Sequence, residues 1–238
     1  MARWLDGLGV IFPFERECFK DTELPVEFVG HPFVAKGFKV SVQYQWDAPV
    51  LLLPGSRKAA VARIFPVMAR AFELCLKEKP DIRAAVIYPG EDIRQVLEEV
   101  HLFTPEARAR MSLVSSKQAV AGQAVLTSSG TISLLCALGG IPGVIVYRAH
   151  PLTYLLGRMM VKVPYLGIAN ILLKEPFYPE FIQGRAAPEV LARELKMAVD
   201  SRERIDGAQE AAERLRQILS AGEEVSAERW LERCLGGE

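Results

Sequence analysis

Leu51-Leu52-Leu53-Pro54-Gly55-Ser56-Arg57 decides how this chain is read. The apolar residues in a row suit a strand buried on both faces. Pro54-Gly55 ends that strand sharply, because proline lacks a backbone donor and glycine accepts the dihedral angles of a tight turn. A hydroxyl and a guanidinium then stand where the next helix begins. The guanidinium of Arg57 is a planar fork of donors that matches phosphate oxygens. A helix start adds free N–H groups and the positive end of the helix dipole. Gly55, Ser56 and Arg57 are therefore candidate ligands for a nucleotide diphosphate, since open α/β sheets bind ligands at such strand ends. The plainer alternative is a βα turn carrying a surface arginine.

Working outward, short apolar runs at residues 50–53, 84–88, 112–114, 124–126 and 144–147 read as buried strands. Between the first two, Val61, Ile64, Phe65, Met68, Phe72 and Cys75 recur at helical spacing. Pro66 either kinks that helix or marks its effective start. Residues 91–100 and 132–138 are further helical candidates. Strand–helix alternation of this kind predicts an α/β fold, a Rossmann-like, doubly wound parallel sheet flanked by helices. Ahead of it, residues 9–14 and 26–29 read as two short strands, and Gly30-His31-Pro32 as a hinge or linker. From Pro188 the chain is polar and helical, over residues 189–199, 208–219 and 227–234, with breaks at Gly222 and Gly236-Gly237.

The 238 residues are 50% hydrophobic with a net charge of zero. That is ample for one core and marginal for two. Balanced charge gives no general attraction to nucleic acid, which is not an expected partner. Cys18, Cys75, Cys136 and Cys234 form no CxxC pair and no zinc spacing, which favours a reducing, cytoplasmic compartment. His31, His101 and His150 stand alone and read as packing or surface histidines, so no metal site is expected. Arg3, Asp6 and Glu15 interrupt any early apolar region, so no signal peptide is expected. Residues 118–147 carry no charge, but Gly122, Ser128-Ser129-Gly130, Gly139-Gly140 and Pro142-Gly143 divide them into strands and a short helix rather than a membrane span. Residues 154–173 set Tyr154, Arg158 and Lys162 in an apolar run. Such a run suits a helix lying on a lipid surface, or an ordinary helix and loop packed on a sheet.

A second strand-to-helix turn is Ser128-Ser129-Gly130-Thr131. Its hydroxyls can cap the helix that follows, or they can join the free N–H groups in binding a phosphate. Two such turns in one sheet point to a shared anionic ligand. No P-loop pattern is present, and no GxGxxG follows a strand, which disfavours ATPases and dinucleotide enzymes.

Taken in order, these and other pieces resemble the C-terminal half of lipid-A-disaccharide synthase, an inverting glycosyltransferase of the two-domain GT-B class. Ile11-Phe12-Pro13-Phe14-Glu15 and Phe28-Val29-Gly30-His31-Pro32 resemble the end of the family's first domain and its linker. Leu53-Pro54-Gly55-Ser56-Arg57, with Pro66 beyond it, resembles the first turn of the second domain. Ser129-Gly130-Thr131 resembles its nucleotide turn, and Tyr147-Arg148, Tyr154 and Lys162 match the segment that follows. Asn170 matches the asparagine of a proline-asparagine pair, with Ala169 in the proline's place. Pro179-Glu180-Phe181-Ile182-Gln183, with Pro188-Glu189, resembles a late helix signature.

The resemblance implies a GT-B C-terminal domain over residues 37–200, preceded by a remnant of the first domain and linker (1–36) and followed by a helical segment (201–238). It implies a UDP-diacylglucosamine-like donor as substrate and no cofactor. Gly55, Ser56, Arg57, Ser129, Gly130 and Thr131 would hold the diphosphate without a metal. Asn170 and Gln183 would lie near the donor. Tyr154, Arg158 and Lys162 would touch lipid or the membrane surface, placing the protein in the cytoplasm or peripherally on the inner membrane. Catalytic residues are not assigned, because the family's first domain, which carries the acceptor pocket and the proposed base, is almost entirely absent. A separate chain is expected to supply that half. Residues 9–32, with an unpaired sheet edge, would bind such a partner or a second copy. Two positions depart from the family. Leu135 stands where a glutamate accepts the ribose hydroxyls, facing the ribose, and Ala60 where an acid follows the arginine. A non-catalytic scaffold derived from the fold, or another GT-B-like enzyme such as a UDP-sugar epimerase, are the alternatives.

Overall fold

The computed structural model describes residues 4–100, 104–149, 164–221 and 226–235. The chain divides into two units, Met1–Val40 with Glu213–Glu238, and Ser41–Ala212. In the smaller unit, β1 (Leu8–Val10) pairs in parallel with β2 (Val26–Phe28). The first strand is shorter than residues 9–14 suggested. Pro13 opens a 3-10 helix, Pro13–Phe19, and the Glu15 carboxylate accepts the Phe12 N–H at 2.9 Å, fixing the turn. His31 is buried between Phe12 and Phe33, with ring centroids 4.9 and 4.7 Å away.

In the larger unit the elements run β3 (Val42–Tyr44), β4 (Val50–Leu53), α1 (Lys58–Glu78), β5 (Ala84–Tyr88), α2 (Glu91–Glu98), α3 (Pro105–Ala109), β6 (Met111–Ser115), β7 (Val120–Gly122), β8 (Val125–Thr127), α4 (Thr131–Leu138), β9 (Gly143–Tyr147), α5 (Ile168–Leu173), β10 (Glu180–Ile182) and α6 (Pro188–Asp200), and the division between the units falls within the helix after them, α7 (Arg202–Leu219). A six-stranded sheet has the order β10-β9-β8-β4-β5-β6, every neighbouring pair parallel. The short β3 and β7 form a separate parallel pair. The last helix, α8 (Ala227–Leu235), belongs to the smaller unit. There its Trp230 lies over Gly9, and Arg233 pairs with Glu27 at 2.7 Å. Gly9 and Glu27 are register partners across β1 and β2, so one sheet face meets the helix.

The strand run that opened the sequence argument is the central strand, and Val50, Leu51, Leu52 and Leu53 are all buried. Strands covered on both faces need no polar alternation, which is why β4 and β5 are legible as apolar runs. On one face the helical stripe Val61, Ile64, Phe65, Met68, Phe72 and Cys75 is buried with Leu191, Leu195 and Val199 of α6 in a single core. Pro66 does not mark the start of α1, which begins at Lys58 and runs through it. Loss of one backbone donor is outweighed by burial along the whole stripe. α6 and α7 begin earlier than residues 189 and 208. Pro188 suits a first helical position, and Ser201 Oγ accepts the Arg204 N–H at 3.3 Å at the head of α7. The uncharged run 118–147 is β7, β8, α4 and β9, and among the described residues no helix is long and apolar enough to cross a membrane.

Candidate functional site

After β4 the chain builds β5 and β6 on one side of that strand, then returns to build β8, β9 and β10 on the other. Loops leaving the C-terminal ends of β4 and β8 therefore turn apart, which opens a crevice between them. The walls are the two turns singled out in the sequence. Ser128 N–H donates to the Leu53 carbonyl at 2.8 Å and ties one turn to the other. Gly55 has φ +112° and Gly130 φ +135°, both in the left-handed region that glycine alone enters freely. A Cβ on Gly55 would also come within 3.1 Å of Ser128 Oγ.

The crevice is a cavity of about 310 Å³. Gly55, Ser56, Arg57, Ser129, Gly130 and Thr131 all line it, so six of the sequence-derived candidates meet in one place. Ser128, Ser116 and Tyr147 add hydroxyls, and Ala60, Ile64, Ile87, Pro89 and Ile132 add apolar surface. Ser116, Ile87 and Pro89 were not singled out. Each lies at or just after the C-terminal end of β5 or β6, the two neighbouring strands on one side of β4. Arg57 is the only charged side chain in the lining, and it makes no ion pair among the described residues.

Helix capping does not use up the turns. The N-cap of α4 is Gly130, which has no side chain to offer, and the N-cap of α1 is Arg57, which makes no capping hydrogen bond. Ser133 Oγ donates back to the Gly130 carbonyl at 2.6 Å, and Thr127 Oγ1 to the Ser128 carbonyl at 2.9 Å. Two helix N-termini, one cation and several hydroxyls thus face a space that, among the described residues, has no carboxylate in its lining. That arrangement attracts anions.

Other candidates lie elsewhere. Asn170 is fully buried and occupied. Its Oδ1 accepts the Tyr178 N–H at 2.8 Å, and its Nδ2 donates to the Tyr178 carbonyl at 2.7 Å and to Glu180 Oε1 at 2.8 Å. Gln183 is engaged with the Ala149 peptide: Oε1 accepts its N–H at 2.9 Å and Nε2 donates to its carbonyl at 3.1 Å. Neither residue lines the cavity. Leu135 is 7% exposed and packs inward, rather than facing the cavity as its place in the family pattern suggested. Ala60 does line it. Tyr154, Arg158, Lys162, His101 and His150 lie outside the described residues. Cys75 and Cys136 are buried, and desolvation pushes both thiols up to about 12, which suits packing rather than chemistry.

A family model described as lipid-A-disaccharide synthetase matches residues 1–232. The chain belongs to the lipid-A-disaccharide synthetase family. It is 34% identical over 231 residues to the lipid-A-disaccharide synthase of Rhodospirillum centenum, covering 91% of this chain and 58% of that protein. With that of Geobacter metallireducens the identity is 31%, over 93% of this chain and 60% of that protein. The chain thus spans less than two thirds of the length of these relatives.

Among solved structures, the calicheamicin glycosyltransferase CalG4 is similar with a TM-score of 0.54 at 15% identity, over 97% of this chain and 52% of CalG4. A UDP-N-acetylglucosamine 2-epimerase gives 0.53 at 12% identity, over 100% of this chain and 60% of the other. The pneumococcal O-GlcNAc transferase GtfA, solved with UDP and GlcNAc, gives 0.52 at 12% identity, over 99% and 46%. These likenesses establish the GT-B glycosyltransferase fold of the family member described here.

Proposed function

We propose that this chain supplies the nucleotide-sugar site of a lipid-A-disaccharide-synthase-type glycosyltransferase, which takes a UDP-diacylglucosamine-like donor. The carrying observation is the cavity at the switch point of the sheet, where Arg57 and two uncapped helix N-termini converge. The diphosphate lies between the β4 and β8 turns. There Arg57, Ser56 and Ser129 donate to its oxygens, and the N–H groups at Gly130 and Thr131 meet the negative charge. The strand order then orients the rest of the ligand. Towards β5 and β6 the lining becomes Ile87, Pro89 and Ser116, a largely apolar corner with one hydroxyl that suits a pyrimidine ring. Towards β9 stands Tyr147, on the side left for the sugar.

In transfer, the anomeric carbon–oxygen bond breaks and charge builds on the departing diphosphate. Donors already in place lower that barrier without reorganising during the step. Deprotonating the acceptor hydroxyl requires a base, and among the described residues the cavity lining holds neither a carboxylate nor a histidine. In this reading that group belongs to the part of the family's length that this chain does not span, and the lipid character of donor and acceptor suits a reaction at the cytoplasmic face of a membrane.

Isothermal titration with UDP and with uridine tests the reading. UDP is expected to bind and uridine to bind much more weakly, since it lacks the charge that Arg57 meets. Equal affinities, or none for UDP, would remove the diphosphate site and favour a scaffold that kept the fold. The inward packing of Leu135, where the family pattern has its ribose acid, is the observation on that side.

A further inference from the structure

Gln183 combines two unusual features. It has φ +54°, in the left-handed region that costs any residue with a side chain. Its amide also holds both polar groups of a single residue, Ala149 N–H at 2.9 Å and Ala149 C=O at 3.1 Å. Asparagine or glycine enters that backbone region more easily. Glutamine adds the reach that lets the amide meet Ala149.

The register shows what this clamp controls. Ile182 is the pairing partner of Tyr147, the last ladder pair between β10 and β9. Beyond it the strands have no further ladder pair, and the Gln183 side chain takes over from the backbone. Just before the clamped residue come Tyr147, which lines the cavity, and Arg148. Arg148 is held as well: Nη2 donates to the Ala186 carbonyl at 2.8 Å, while its buried Nε has no partner. Ala186 belongs to the turn that Gln183 starts, its N–H donating to the Gln183 carbonyl at 3.0 Å. One strained residue thus braces the end of β9 through its side chain and its own turn.

We propose that Gln183 is a positioning residue for the nucleotide-sugar site, which, through the Arg148-Ala149 segment after β9, fixes Tyr147 as a wall of the cavity. This rests on the reading of the cavity given above. It also replaces the expected direct contact between Gln183 and the donor.

Gln183→Asn and Gln183→Gly separate the possibilities. Both tolerate the left-handed backbone, and neither reaches Ala149. With the fold relieved of strain, the melting temperature is expected to hold within a few degrees. UDP affinity is expected to fall about three- to tenfold, the scale of one neutral hydrogen bond. A double-mutant cycle with Tyr147→Ala reads the route. If Gln183 acts through β9, its substitution costs little once the Tyr147 wall is gone. Additive losses would show direct contact and overturn the proposal. A lowered melting temperature with unchanged UDP affinity would make Gln183 a purely structural tie and overturn it too. Absence of UDP binding by the parent chain would instead overturn the nucleotide-sugar reading, and this inference with it.

Discussion

At the scale of single residues, the cavity contrasts one exposed cation with one buried leucine. Among the described residues Arg57 is the only charged group in the lining, so its removal should register directly in ligand affinity. A hydrogen bond to a charged group contributes about 1.5–3 kcal/mol. Arg57→Ala is therefore expected to weaken UDP binding by roughly ten- to a hundredfold, with uridine binding unchanged, both measured by titration. Leu135 leads to the opposite expectation. Were it facing the ribose, Leu135→Glu would restore an acceptor and tighten binding. Because Leu135 is buried, the new carboxylate would lie unpaired in the core. We expect Leu135→Glu to destabilise the fold by about 2–5 kcal/mol with no gain in UDP affinity. Calorimetric melting and a UDP titration check the two halves of that statement.

At the scale of elements, the helices that matter do so through their ends and their anchors. α1 and α4 contribute open N-termini, α4 because its N-cap is Gly130 and α1 because the Arg57 side chain at its N-cap makes no capping hydrogen bond. α5 contributes differently. Asn170 holds it against Tyr178, and Glu180 accepts the Leu166 N–H at 2.9 Å and the Gly167 N–H at 2.9 Å at its start. Tyr178 OH in turn donates to the Ile141 carbonyl at 2.5 Å. Asn170→Ala strips the Tyr178 N–H of its acceptor and the Glu180 carboxylate of one donor, costing about 2–4 kcal/mol. Its melting temperature should drop while UDP affinity, measured well below the transition, stays within about twofold of the parent's. A large affinity loss at constant stability would return Asn170 to the donor site that its family position implied.

For the whole molecule, pH dependence follows from a buried histidine in the smaller unit. Burial pushes the His31 imidazole down from 6.5, with the Glu15 carboxylate opposing more weakly. His31 Nδ1 also accepts the Phe33 N–H at 3.1 Å, a bond only the neutral ring makes. Between the lowered folded value and the ordinary unfolded one, the unfolded chain binds more protons, so stability falls as pH drops below about 6.5. Thermal melts from pH 7.5 to 5 should show that decline. His31→Asn keeps an oxygen acceptor for Phe33 and has no titrating ring, and should flatten it. A parallel decline in the variant would assign the effect to other groups. We expect the purified chain alone not to turn over UDP-diacylglucosamine with a lipid monosaccharide, since among the described residues its cavity lining offers no base. Product formation in that assay would overturn the expectation.

Several features are readable in the amino-acid order alone. Residues 50–53 and 84–88 coincide with β4 and β5 because strands covered on both faces must be apolar throughout. The stripe from Val61 to Cys75 coincides with the buried face of α1 because helical burial repeats every three or four residues. Both strand-to-helix turns are legible because a strand end, a glycine and hydroxyl or guanidinium groups are contiguous in sequence. Tertiary structure alone decided the rest. The three-residue strands β3, β7 and β10 carry no periodic signal and exist only through their long-range partners. That the turns at Gly55 and Gly130 share one cavity follows from the strand order, which places β8 beside β4. Asn170, Gln183 and Leu135 look available for a ligand in sequence. In three dimensions their side chains are taken by Tyr178, Ala149 and the core. Local pattern determines what a segment forms, whereas the partners of a polar side chain depend on which distant segments the sheet brings beside it.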